Sequence, residues 1–313
     1  MTLPPLAETA AALWRDAAPL RAALPFPQID PALLSVDLGF VTLSLRWYAL
    51  AYIAGLALGW WIVRALMRRP ALWPGRRAPM TPEQPEELLT WMVAGVILGG
   101  RLGFVLFYQP AYYLAHPLEA LAIWQGGMSF HGGFLGVVVA ALLWSLRNAA
   151  PPLSVGDALA VATPPGLLFG RLANFVNGEL WGRPTEAWFG MVFPGGGPLP
   201  RHPSQLYEAA LEGLLLGALL LWLALAQRWT LRPGALTGAF LAGYGAARAF
   251  VENFRQGDAQ FVTAGNPNGQ ALRFGDGAEA WGLTMGQILS LPMLFAGLLL
   301  IAYAFARKRP QTA

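Results

Sequence analysis

Residues 284–306 read TMGQILSLPMLFAGLLLIAYAFA, a run without one Asp, Glu, Lys or Arg. At a rise of about 1.5 Å per residue, a helix of this length crosses the roughly 30 Å hydrocarbon core of a bilayer. No water reaches that core, so the backbone must satisfy its own hydrogen bonds, and a helix does so. The rest of the chain agrees. It is 56% hydrophobic and 12% charged, about half the charged share usual in a soluble domain. Its 13 Trp also fit a bilayer, because indole rings favour the interface.

Six more apolar runs lie upstream, at about 46–66, 87–108, 131–148, 157–178, 204–226 and 235–254. The expected fold is therefore an all-α polytopic membrane protein with about seven transmembrane helices. Loop charge predicts its orientation. With the N-terminus outside, the cytoplasmic side receives Arg64, Arg68, Arg69, Arg76, Arg77, Arg147, Arg228, Arg232, Arg307, Lys308 and Arg309. The outer side receives Arg15, Arg21, Arg46, Arg183, Arg201, Arg255 and Arg273. Eleven against seven favours N-terminus out and C-terminus in.

Residues 1–40 do not read as a signal peptide, since Glu8 and Asp16 interrupt the apolar stretch and no basic segment precedes it. They predict an outer interfacial helix, then, after Pro25, Pro27 and Pro31, an extended lead-in to the first span. Residues 41–308 form a single transmembrane domain with ordered outer loops at 109–130, 179–203 and 255–283. Residues 309–313 form a cytoplasmic tail.

Several function classes drop out. Cysteine is absent, which excludes disulfides, thiolate metal sites and a Cys nucleophile in this chain. His116, His131 and His202 lack metal-ligand spacing, so no metal site is expected, and no motif calls for a cofactor. No basic run with interleaved aromatics marks a nucleic-acid partner. Gly95, Gly99 and Gly103 in the second run, like Gly55 and Gly59 in the first, stand four apart and read as helix-packing contacts.

Charge inside a span is costly, and normally faces a cavity or a partner. This chain places Arg101, Asp157, Arg171, Glu208, Glu212, Arg248 and Glu252 within its runs. Tyr244, Arg248, Glu252 and Arg255 follow at intervals of four, four and three, one stripe of one helix. Arg171, Asn174 and Gly178 form a second stripe, and Gln205, Glu208 and Glu212 a third. One reading is structural: Arg248 and Glu252 as a buried ion pair that fixes helix packing. The other starts from Arg101, Arg171 and Arg248 together, which outnumber simple local partners. Surplus buried Arg suits an anionic ligand, because the guanidinium is a charged, bidentate fork for phosphate. In a membrane the obvious phosphate is a phospholipid headgroup.

His131 opens the third run within Ser129-Phe130-His131-Gly132-Gly133. A helix N-terminus disfavours a positive charge there, and two glycines leave space beside it, so His131 is either a proton acceptor or a structural histidine. His202, before Pro203, reads as an organiser of its loop.

Several segments also resemble one family. Gly170-Arg171-Leu172-Ala173-Asn174-Phe175-Val176-Asn177-Gly178-Glu179-Leu180-Trp181-Gly182-Arg183 resembles the signature of bacterial prolipoprotein diacylglyceryl transferases. Arg46-Trp47-Tyr48, Ser129–Gly133, Arg201-His202-Pro203-Ser204-Gln205-Leu206-Tyr207-Glu208, Arg248-Ala249-Phe250-Val251-Glu252-Asn253-Phe254-Arg255 and Met285-Gly286-Gln287-Ile288 resemble its other motifs, in family order. Ala49, Ala249 and Asn253 depart from the pattern without removing an ionisable group.

The resemblance implies transfer of a diacylglyceryl group from phosphatidylglycerol to the lipobox Cys thiol of a preprolipoprotein signal peptide. A thioether forms and glycerol 1-phosphate leaves, at the bacterial inner membrane with the site toward the periplasm. The nucleophile then belongs to the substrate, which fits a chain without Cys. Stripes and motifs together give an expected catalytic set of His131, Arg171, Arg248 and Glu252. The expected substrate-binding set is Tyr48, Arg101, Asn174, Glu179, Gly182, His202, Glu208, Tyr244 and Arg255. The alternative is a membrane transporter or flippase that uses the same arginines for an anionic lipid, though no inverted repeat supports it.

Overall fold

The computed structural model describes residues 24–39, 42–275 and 281–307. The expected interfacial helix falls largely on residues 1–23, and the expected tail on 309–313, both outside the described residues. In chain order the helices are α1 (Trp47–Met67), α2 (Gln84–Phe107), α3 (Pro110–Ala115), α4 (Phe130–Arg147), α5 (Pro152–Ala162), α6 (Pro164–Val176), α7 (Ser204–Glu208), α8 (Leu216–Leu225), α9 (Ala235–Val251) and α10 (Met285–Ala306). A π-helical stretch, Ala209–Leu215, joins α7 to α8.

Six stretches among the described residues are long and apolar enough to cross a membrane: α1, α2, α4, Pro152–Val176, Ser204–Leu225 and α10. The expected seventh, α9, is apolar but only 17 residues long. The run expected at 157–178 begins earlier and breaks at Thr163, because Pro164 and Pro165 cannot donate to the preceding turn. Large apolar side chains line the outer faces, among them Leu98, Leu135 and Leu299, as lipid-facing positions require.

The all-α expectation needs a correction. Among the described residues three two-stranded sheets accompany the helices: β1 (Leu24–Pro25) with β4 (Met191–Val192), β2 (Ala32–Asp37) with β3 (Thr42–Arg46), and β5 (Gln270–Phe274) with β6 (Trp281–Thr284). The expected extended lead-in is thus one arm of an antiparallel hairpin, β2–β3, which runs straight into α1. These strands are two to six residues long, too short for an alternating pattern to announce them. β6 feeds α10 through a capping box, in which Thr284 accepts from the Gln287 N–H and Gln287 accepts from the Thr284 N–H.

Small residues set the helix contacts. Cβ atoms at Gly95 and Gly103 would stand 2.5 Å from Gly136 O and 2.8 Å from Gly132 Cα, so α2 and α4 touch backbone to backbone. Gly55 brings α1 against Gly166 of α6, and Gly238 brings α9 against Gly297 of α10. Gly132 is therefore spent on the α2–α4 contact and does not open space beside His131, a correction to the sequence reading.

At one end of the bundle, the fully buried Asp157 accepts from Gly234 N (2.8 Å), Thr237 N (2.8 Å) and Thr237 Oγ1 (2.9 Å). That carboxylate from α5 satisfies the free N–H groups at the start of α9. Trp73, also fully buried, donates its indole N–H to Leu66 O beside it. The opposite end carries the strands and the loops at 179–203 and 252–275.

Candidate active site

Glu208, the last residue of α7, has no exposed surface. Three arginines converge on it. Arg171 Nε of α6 stands 2.6 Å from Oε2, while Arg248 Nη1 of α9 and Arg255 Nη1 just beyond it stand 3.2 and 2.6 Å from Oε1. The Arg248 and Arg255 contacts are aligned hydrogen bonds, and the Arg171 contact is an ion pair without that alignment. Glu252, one turn beyond Arg248, adds ion pairs to Arg248 Nη2 (2.9 Å) and Arg255 Nε (3.5 Å). Helix periodicity sets Arg248 and Glu252 one turn apart on one face, whereas Arg255, expected on the same stripe, lies past the helix end and is held by a β-bridge to Gly182.

The desolvation of Glu208 is costly and is offset only by this shared pairing. Burial alone would lower the pKa of Arg255. The Glu208 and Glu252 carboxylates outweigh it and hold the guanidinium above its ordinary value. The three arginine side chains retain 22, 17 and 19% of their surface, so each can still meet a second anion. The surplus of buried Arg read from the sequence is thus smaller than expected, because Glu208 and Glu252 occupy part of each fork.

Glycine makes the place for Glu252. A Cβ at Gly286 would stand 2.5 Å from its carboxyl carbon. The carboxylate therefore lies against the first turn of α10, where free N–H groups favour negative charge.

A second cluster stands beside the first on α6. Glu179 accepts from Asn174 Nδ2 (2.8 Å) and Asn177 Nδ2 (3.3 Å), and its backbone carbonyl accepts from Gln205. Gly178 sits at φ 65, the left-handed turn that ends α6, and there a Cβ would also press on Pro194. On α1, Tyr48 and Tyr52 share a hydroxyl–hydroxyl hydrogen bond of 3.2 Å.

The 179–203 loop is stitched to the end of α9. Gly182 N donates to His202 O and Arg183 N to Phe254 O, both at 2.8 Å. A Cβ at Gly182 would meet Phe254 O, and His202 Cβ at 2.8 Å, so only glycine lets the three strands of chain approach this closely. His202 Nδ1 lies 3.0 Å from the Tyr207 hydroxyl, and the ring packs on Phe254 and Phe189. Burial lowers the His202 pKa. These are the contacts of a loop organiser.

Among the described residues, two expected site residues make no hydrogen bond or ion pair with the arginine cluster. Arg101 of α2 is buried, and its fork donates to the carbonyls of Ala120 (2.7 Å), Gly126 (2.6 Å), Gly127 (3.2 Å) and Glu119 (2.6 Å). It folds the 117–127 loop onto the bundle. His131 is exposed in the first turn of α4, below the Ser129 cap, with its ring edge-on to Phe130 at 5.7 Å. Tyr244, one turn before Arg248 on α9, stacks on Phe240.

The sequence reading left Glu212 out of the site, although it shares a face with Glu208. Glu212 is fully buried in the π-helical stretch, and neither carboxylate oxygen has a hydrogen-bond partner among the described residues. Arg183 was also missed. It binds Arg255 O (2.7 Å) and Asn268 Oδ1 (2.7 Å) and so ties together the two loops that roof the cluster. No local pattern announces a contact across so many residues of chain.

Comparison with known proteins follows the same segments. Residues 35–303 match the family described as prolipoprotein diacylglyceryl transferase. A protein of Ruegeria pomeroyi named phosphatidylglycerol–prolipoprotein diacylglyceryl transferase is 57% identical over 296 residues, covering 92% of this chain and 99% of its own. Proteins of the same name from Cereibacter sphaeroides and Rhodospirillum centenum are 60% and 52% identical, each over 284 residues, covering 88% and 90% of this chain and 96% and 94% of their own. The arginines gathered on Glu208 thus lie inside a match that takes in every described span, and the chain belongs to the prolipoprotein diacylglyceryl transferase family.

Proposed function

We infer that this chain transfers the diacylglyceryl group of phosphatidylglycerol to the lipobox cysteine thiol of a preprolipoprotein, the first step of bacterial lipoprotein maturation. One observation carries the reading beyond family membership: three partly open guanidiniums from two sides of the bundle share one buried carboxylate. Such a cluster accepts a phosphate whose negative charge grows during a reaction.

The thiol loses its proton, and the thiolate attacks the glycerol carbon that bears the phosphate ester. The sulfur–carbon bond forms as the carbon–oxygen bond breaks. The departing oxygen keeps that electron pair and leaves as glycerol 1-phosphate, held by Arg171 and Arg248. Glu252 and Glu208 orient the two forks and balance their charge before the lipid arrives. Asn174, Glu179 and Tyr48 stand beside this point to meet the polar headgroup, and Gly182 and His202 shape the roof over it. His131, open at its helix start, takes the thiol proton directly or through water.

His131→Ala tests that role within an assay of the purified protein with phosphatidylglycerol and a lipobox peptide. Transfer is expected to fall about 100- to 10,000-fold, the usual worth of a general base, with lipid binding retained. Near-normal transfer moves the base to His202, Glu179 or Glu252. No transfer by the unaltered protein overturns the function.

The same reading places the chain in the inner membrane with α9 as a seventh span, the N-terminus and the strand-bearing end toward the periplasm, and the C-terminus in the cytoplasm. Loop charge supports it. Reporter fusions at residues 78 and 195 are expected to give opposite signals, and matching signals refute the topology.

A further inference from the structure

An apolar cavity of about 240 Å³ lies between α1, α2 and the α5–α6 junction, lined by Leu56, Trp60, Leu89, Met92, Thr163 and Gly166 among others. Its polar groups are few. The Thr163 hydroxyl already donates to Leu159 O at 2.8 Å, which leaves the Trp60 indole. Two stripes lead into the cavity from the second polar cluster. On α1, Tyr48, Tyr52, Leu56, Gly59 and Val63 follow at helical intervals. On α6 and its approach, Asn174, Gly170, Gly166 and Thr163 do the same. Each stripe is polar beside Glu179 and apolar below, the pattern an amphiphile requires. At about 1.5 Å per residue, the part lined by Gly55 to Val63 lies roughly 10 to 22 Å from the level of Tyr48.

We propose that this cavity is the seat of one acyl chain of the phospholipid substrate, with its headgroup at the Tyr48–Asn174–Glu179 cluster and Arg171. The proposal rests on the function inferred above and names where its lipid lies. The dimensions select the occupant. A peptide helix is about 10–12 Å across and does not enter a slot of this volume, whereas a single hydrocarbon chain does. Hydrophobicity alone gives no preference inside a bilayer, since lipid tails are as apolar as the cavity wall. Selection must come from fit. Gly166 helps to keep the slot open, for a Cβ there would meet nothing within 4 Å.

The same glycine supplies a test. Gly166→Leu narrows the slot, its first side-chain carbon meeting no protein atom within 4 Å, and Met92→Ala enlarges it. Each purified full-length variant is assayed for transfer to a lipobox peptide from dipalmitoyl and from dioctanoyl phosphatidylglycerol, with thermal melting as the check on folding. Gly166→Leu is expected to lower kcat/KM for the dipalmitoyl lipid about tenfold, and to leave the dioctanoyl lipid within about twofold, as overfilling a packed site does. Met92→Ala is expected to move the preference toward longer chains. An unchanged ratio between the two lipids in both variants overturns the acyl seat while leaving the transferase reading intact. Absence of transfer by the unaltered chain from either lipid overturns the reading beneath it.

Discussion

Glu208→Gln is expected to lower turnover about 100-fold or more, the scale of loss when reacting groups are misplaced by an ångström or so. The substitution keeps size and removes charge. Three guanidiniums then face one another across a buried site with only Glu252 left to pair two of them. Breaking a buried ion pair from one side typically costs about 3–5 kcal/mol, so the detergent-solubilised protein is also expected to melt at a lower temperature. Lipid affinity is expected to hold, because the phosphate loses a competitor for the forks. Measuring melting, lipid binding and single-turnover transfer on Glu208→Gln separates these effects. Normal turnover at lipid saturation would show that the shared carboxylate does not set the arginines.

Arg171→Lys and Arg248→Lys carry the second large effect. Lys supplies the charge, but neither the planar fork nor the reach that lets Arg248 touch Glu208 and Glu252 with different nitrogens. Loss of one donor to a growing oxyanion costs about 100- to 1000-fold in turnover. Each Lys variant is expected to fall in that range, and each Arg→Ala variant further. The loss belongs in the chemical step rather than in lipid affinity, which makes single-turnover transfer under saturating lipid the deciding measurement. If both Lys variants transfer at normal rates once saturated, the arginines only recruit headgroups, and another group stabilises the leaving phosphate.

The spans were legible because an apolar run of bilayer length has few other solutions. Their ends were less so. α5 starts at Pro152, well before the polar Asp157 at which the hydropathy reading began. The polar stripes were legible one helix at a time, since intervals of three and four fix a face. Which stripe meets which was not, because helix rotation is set by backbone contacts such as Gly55 on Gly166 and Gly238 on Gly297. Hence Glu208 stood among the substrate contacts in the sequence reading, yet in the fold it is the point where Arg171, Arg248 and Arg255 meet. Arg101 shows the opposite limit. Its partners are backbone carbonyls, which every residue carries and no motif can announce.

Asp157 sits at the far end of the bundle, yet it bears on this chemistry as a surveyor's benchmark does on distant stakes. It accepts from Gly234 N, and from that common mark each chain runs fourteen residues to its arginine, Asp157 to Arg171 and Gly234 to Arg248. Along α9 that amounts to about 21 Å of helical rise, while the other path crosses the break at Thr163. Two guanidiniums on separate helices are thereby referred to one carboxylate at the other end of the bundle. A change at Asp157 would tilt one stake relative to the other, and its cost would be read in transfer at the opposite end of the bundle.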